Sequence, residues 1–241
     1  MFNHQSNNVQ ELRQAIKFLI KDIHESNRKN RPYDVKIKTK LLVMTYSAWS
    51  EAQFIQIIYT PNALTTDQLN SLLKDSGIFN RWKQLLKYLF DTIKKFNEDE
   101  CEKKVLELKQ NSLFHKISES NELYSQKNIK LIEKKRKITQ YLEEYIDKQS
   151  MIRNKIAHGQ WKVALDKDNK NKNDDLTNKL DNLNIFSIKK ELKVHTILGK
   201  IIRDLIQSPY KSFDDKYEKY INEIESFLEN DAKRDLKFNS Q

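Results

Sequence analysis

The chain has 241 residues, a formal charge of +10 and 38% hydrophobic residues, which is enough apolar content for one packed domain. Three Gly and three Pro argue against sandwiches, barrels, Rossmann folds and any Gly-rich phosphate loop, all of which need turns at short intervals. The single Cys excludes a disulfide framework and a thiolate zinc site within one chain. No apolar run approaches the roughly 18 residues of a membrane span, and the polar opening Met-Phe-Asn-His-Gln-Ser-Asn-Asn lacks a signal-peptide core. The expectation is a cytoplasmic, all-α protein.

Residues 8–27 read as an amphipathic helix carrying Leu12, Ile16, Leu19, Ile20 and Ile23, ended by Arg31-Pro32. A second helix is predicted from Tyr33 to Tyr59, with a stripe of Ile37, Leu41, Met44, Ala48, Ala52 and Ile55. Thr65 or Thr66 suits the cap of a short helix with Leu69, Leu72 and Leu73, stopped near Gly77. Phe79 to Phe96 follows as another helix. The acidic stretch 97–104 reads as a connection, and 105–118 as a further short helix. From Asn121 a long helical pattern resumes through Ile138, Leu142, Tyr145, Ile152 and Ile156.

After Gly159 the pattern changes. Residues 161–165 and 184–188 alternate loosely and are expected to form a short β-hairpin, separated by a polar loop (166–184) with nothing to bury in 166–175. Helices return at 189–207, ending before Pro209, and at 213–229. No repeat or long linker divides the chain, so residues 1–241 read as one helical domain.

The charge excess is mostly Lys, with 8 Arg among 44 basic residues. It is concentrated in Lys127 to Lys137, where Lys127, Lys130, Lys134, Lys135, Arg136 and Lys137 face one acid, Glu133. Such a run is either a solvated helix face or a surface that captures a polyanion such as RNA. Among the five His no two lie within five residues, so no metal-binding spacing exists. Cys101 sits among acids, which disfavours a thiolate nucleophile. His24 and His195 fall on predicted helices, and Trp49 and Trp82 read as core or interface aromatics.

Met151-Ile-Arg-Asn-Lys-Ile-Ala-His-Gly159 stands apart. On a helix, Ile152 and Ile156 lie about 40° apart and face the core, while Asn154 and His158 lie about 40° apart on the other side. Arg153 falls between, and Gly159 is a natural stop. An imidazole can move protons near neutral pH. A guanidinium can stabilise charge on phosphoryl oxygens, and Asn154 can orient the phosphate or fix the imidazole tautomer. That trio suits metal-free RNA cleavage by 2′-hydroxyl attack, with a symmetric dimer supplying the second acid–base group. Trp161 reads, like Trp49 and Trp82, as a core or interface aromatic, with a place at the border of the cleft as the alternative because it falls three residues after His158.

Arg153-Asn-Lys-Ile-Ala-His-Gly159 resembles the signature of the HEPN superfamily of all-helical ribonucleases, and the order of elements is similar. Thr45 to Ala52 looks like the second-helix region of toxin-like members, although Ser50 separates Trp49 from Glu51 and leaves Glu51 only a supporting place. The specific resemblance covers about seven residues, and the architectural one about residues 33–160. It implies a HEPN-like bundle with extra terminal helices and a metal-independent, cofactor-free endoribonuclease. It further implies homodimers, products with 2′,3′-cyclic phosphate and 5′-hydroxyl ends, and a toxin or anti-phage setting with an antitoxin such as a nucleotidyltransferase. In that reading Arg153, Asn154 and His158 are catalytic, and Lys155 makes at most a contact to the RNA backbone. Two rivals remain: a catalytically silent HEPN-like scaffold, and a helical adaptor whose basic faces are merely solvated.

Overall fold

A computed structural model describes residues 2–75, 77–207 and 212–239. Nine α-helices account for most of it: α1 (Phe2–Arg28), α2 (Pro32–Ile58), α3 (Thr66–Lys74), α4 (Ile78–Gln110), α5 (Ile117–Leu142), α6 (Lys148–Ala157), α7 (Asp174–Asp181), α8 (Ile185–Gln207) and α9 (Ser212–Asn239). A 3₁₀ turn (Phe114–Lys116) precedes α5, and a π-helical turn (Glu143–Asp147) joins α5 to α6. Among the described residues there is no strand and no helix long and apolar enough to cross a membrane.

The all-α expectation holds, but several boundaries move. Helix α1 starts at Phe2 rather than near residue 8, because Gln56 donates to the Ser6 hydroxyl (2.9 Å) and ties its first turns to α2. The stretch 97–104 is not a connection: α4 runs through it to Gln110. There α4 lies along α5, burying Leu108 and Leu131, and Asn97 bonds Asn128 across the pair (3.3 Å). The turn comes only at Ser112, in left-handed backbone (φ 55°). Thr65 caps α3 in a capping box with Gln68, as its position allows. Pro209, expected to close α8, lies outside the described residues.

The predicted hairpin does not form. Residues 185–188 are the first turn of α8, where Ile185 and Ile188 are buried, and Leu165 pairs instead with Lys172 in one isolated antiparallel bridge. Nor is 166–184 only a polar loop. Asn173 caps α7 by accepting from the Leu176 N–H (3.0 Å), and α7 buries Thr177 and Leu180. Two buried side chains per two turns, plus a cap, stabilise a helix that composition alone disfavours.

The apolar residues form two clusters joined by α2 and α8. One gathers the second half of α2 with α3, α4, α5, α8 and α9, and includes Phe54, Trp82, Leu86, Ile138, Ile201 and Phe213. The other joins α1, the first half of α2, α6, α7 and the start of α8, and includes Ile16, Leu42, Trp49, Ile152, Ile156 and Ile188. Helix α8 contributes to both clusters and is therefore central. Gly199 lets it approach α2, since a Cβ there would meet the Gln53 side chain at 2.7 Å.

Helix α2 turns a different face inward than its apolar stripe suggests. Leu41 and Ala48 are exposed, while Tyr46, Ser47, Trp49, Ser50, Gln53 and Phe54 are buried. Helices α1, α6 and α8 cover it on several sides, so polar residues are enclosed with the apolar ones. The fully buried His195 of α8 packs edge-on to Trp49 and Trp82. Its Nδ1 lies 3.0 Å from the Tyr46 hydroxyl, which donates to the Tyr145 carbonyl (3.2 Å) in the π-turn. With the hydroxyl proton so engaged, Nδ1–H is the donor and Nε2 is a bare lone pair, consistent with Nε2 having no partner. Burial pushes the His195 pKa down to about 3, so the ring is neutral and structural.

Candidate functional site

Helix α6 has ten residues, just under three turns, with an apolar underside. Ile152 and Ile156 are 6% and 2% exposed, and each contributes about 1.5–3 kcal/mol by leaving water. Their spacing fixes the opposite side: Asn154 and His158 are exposed, as the pattern predicts. The helix ends in a Schellman motif. Gln160 N–H donates to the Lys155 carbonyl (2.9 Å) and Gly159 N–H to the Ile156 carbonyl (3.1 Å), with Gly159 at φ +77°. His158 is the C-cap residue, its own N–H bonded to the Asn154 carbonyl (3.1 Å). Its imidazole accepts or donates no hydrogen bond among the described residues.

Arg153 is held from three directions. Its Nε donates to the Ser47 hydroxyl (3.0 Å), one Nη to the Asn154 carboxamide oxygen (3.0 Å), and the other Nη to the Glu51 carboxylate. Ser47 and Glu51 are one turn apart on α2, so that helix presents both acceptors to α6 at once. Glu51, separated from Trp49 by Ser50, thus reaches the motif directly. Of the five guanidinium N–H groups, three are engaged and two remain for a further acceptor. The guanidinium is fixed in direction but not sealed, with the side chain 27% exposed.

Arg153 and His158 do not sit on one flank. Five helical residues separate them by roughly 7.5 Å along the axis and roughly 140° around it, with Asn154 between. One copy of the chain therefore offers a phosphate-binding cation and an imidazole at the two margins of a single helix tip.

Two other expected residues act as fasteners. Lys155 donates to the Leu165 carbonyl (2.6 Å) and more distantly to that of Asp166 (3.4 Å), which fastens the following loop to α6. Trp161 is half-buried against the α1–α2 cluster, and its carbonyl accepts from Lys40. The loop itself is folded around Asp166, whose carboxylate takes the N–H groups of Lys170, Asn171 and Asp168 and the Asn171 amide. Those donors, Lys170 first, hold the Asp166 carboxyl below its usual range.

The basic run on α5 lies away from this tip. Along a continuous helical path, sixteen residues from position 137 to 153 span roughly 24 Å. Lys137 pairs with Glu225 of α9 (2.8 Å), Lys135 with Asp91 of α4 (3.8 Å), and Lys134 lies over Tyr217 (4.9 Å). The Glu225 bond raises the Lys137 pKa above the ordinary lysine value. Lys130 and Arg136 are exposed. Half of the run is thus engaged in holding α5 to its neighbours.

Sequence reasoning overlooked Ser47. The available signal was its place one turn before Glu51. It also overlooked Lys40, a lysine that is 3% exposed and that no periodicity marks.

No protein-family model matches the chain, no curated protein matches it, and no solved structure matches its fold.

Proposed function

We propose that this chain is a metal-independent endoribonuclease of HEPN type. The observation that carries the reading is an arginine fixed by Ser47, Glu51 and Asn154 at the same helix tip as an exposed, unengaged His158. In the reaction His158 takes the proton from a ribose 2′-hydroxyl as the oxygen attacks the adjacent phosphorus. The two remaining Arg153 N–H groups meet the charge that grows on the phosphoryl oxygens. The 5′-oxygen leaves with a proton, giving 2′,3′-cyclic phosphate and 5′-hydroxyl ends. One imidazole serves one of the two proton transfers well. A homodimer that sets the tips face to face provides the other, and also offsets the wide angle between Arg153 and His158 within one copy. The resemblance of Arg153 to Gly159 supports a role as a toxin or anti-phage effector in the cytoplasm, restrained by an antitoxin such as a nucleotidyltransferase.

A second reading has one observation in its favour. The Glu51 carboxylate neutralises Arg153, as expected of a silent HEPN-like scaffold that uses the pair to fasten α6 to α2.

Incubation of the purified protein and its His158→Ala form with mixed tRNA and rRNA in EDTA separates the two. The nuclease predicts fragments with cyclic-phosphate ends from the parent and none from His158→Ala. Equal cleavage by both, or none by either, defeats it.

A further inference from the structure

A cavity of about 330 Å³ opens where the turn between α1 and α2 meets the elbow between α7 and α8. Its walls are largely apolar, with Ile23, Val35, Leu180, Ile185 and Phe186 among them. Two lysines one turn apart on α2 also line it. Lys36 is already neutralised by Asp181 at 2.9 Å. Lys40 is not: it is 3% exposed and has no carboxylate within ion-pair distance among the described residues. Its one acceptor is a neutral group, the Trp161 carbonyl.

An ammonium carries three N–H donors, and burying it beside a single carbonyl leaves the charge poorly compensated. We propose that this cavity is a binding site for a small monocarboxylate with an apolar body, its carboxylate on Lys40 and its hydrocarbon against the α7–α8 wall. Lys36, Lys40 and the one carboxylate they share, Asp181, leave the cavity with one net positive charge, which selects one negative charge, and the volume lies within the roughly 300–1,000 Å³ usual for small-molecule sites. Desolvation, followed by the neighbouring Lys36, lowers the Lys40 pKa and outweighs the opposing pull of Asp181, a cost that a carboxylate placed on Lys40 relieves. The exposed ring of Phe186, 69% accessible at the mouth, gains cover from the same ligand. Because Lys40 also holds the Trp161 carbonyl, the ligand competes with the segment that follows His158. The site does not depend on the ribonuclease reading.

Calorimetric titration of the full chain with hexanoate, hexan-1-ol and hexylammonium tests this, using compounds that share a body and differ in charge. Hexanoate should bind one site at least about tenfold more tightly than hexanol, the increment of a charge-assisted hydrogen bond in a sheltered site. Lys40→Met should remove that preference while leaving hexanol binding unchanged. Equal affinity for hexanoate and hexanol, absence of saturable hexanoate binding, or full hexanoate affinity in Lys40→Met each overturns the proposal. Should Lys40→Met fail to fold, the parent protein decides. The amide resonance of Lys162, bonded to the Trp161 carbonyl carbon, must move with hexanoate and not with hexanol, and its indifference to hexanoate is equally fatal.

Discussion

The Glu51–Arg153 pair gives the two functional readings opposite consequences. Glu51→Gln keeps an oxygen that can accept from the guanidinium but removes the charge. Two unit charges in contact attract by roughly 1–5 kcal/mol between the dielectric of water and that near a protein surface. With the side chains 27% and 45% exposed, solvent screening brings the net value to about 1 kcal/mol. If Glu51 serves to aim Arg153 at a phosphate, Glu51→Gln slows cleavage about fivefold, the rate equivalent of that energy. Arg153→Ala removes a donor to the developing charge and costs about 10²–10³ in kcat. Arg153→Lys does not restore the rate, because one ammonium cannot span Ser47, Asn154 and Glu51 as the planar fork does. Initial rates on a defined RNA, measured with the thermal midpoint of each variant, supply the readout. Because Glu51 acts through Arg153, the double variant Glu51→Gln/Arg153→Ala should cleave no more slowly than Arg153→Ala alone. Losses that multiply in the double variant, or a Glu51→Gln that melts earlier but cleaves at the parental rate, refute the positioning argument.

His195 has a folded pKa of about 3, below its unfolded value of 6.5, so its contribution to stability is fully present above pH 6.5 and is lost as pH falls toward 3. Unfolding free energies from urea titrations across that window should fall by up to about 1.4 kcal/mol per pH unit from this group, and His195→Leu should flatten the slope. An unchanged slope in His195→Leu would show that other groups govern acid unfolding. Gly159→Ala meets no atom within 4 Å but must hold φ +77°, so it should cost about 1–2 kcal/mol in chemical denaturation and cleavage should fall with the displaced His158. A fully stable Gly159→Ala would mean that the helix end relaxes without strain.

The local chemistry of the motif helix is written in its residues. The 3.6-residue period puts Ile152 and Ile156 underneath and leaves Asn154 and His158 outside, and the glycine after His158 takes the positive φ that closes the Schellman turn. These depend on neighbours within one or two turns, which is why they are legible without a fold. The same holds for the Thr65 cap and for the all-α class, which follows from scarce Gly and Pro and repeated apolar stripes.

Contacts between distant segments are a different matter. Arg153 meets Ser47 and Glu51 across about a hundred residues, and nothing in either segment specifies the other. Helix α2 misleads by its own pattern, since α1, α6 and α8 enclose it and bury Ser47, Ser50 and Gln53 where periodicity places polar groups in water. The hairpin expected after Gly159 loses to helix because Leu180, Ile185 and Ile188 find apolar surface on the α1–α2 lobe, a gain that exists only once that lobe is assembled. Local periodicity therefore settled which residues the motif helix exposes, while packing between remote elements decided which partners hold Arg153 and where Lys40 is buried. Side-chain direction depends on the backbone of one helix; burial depends on all that closes around it.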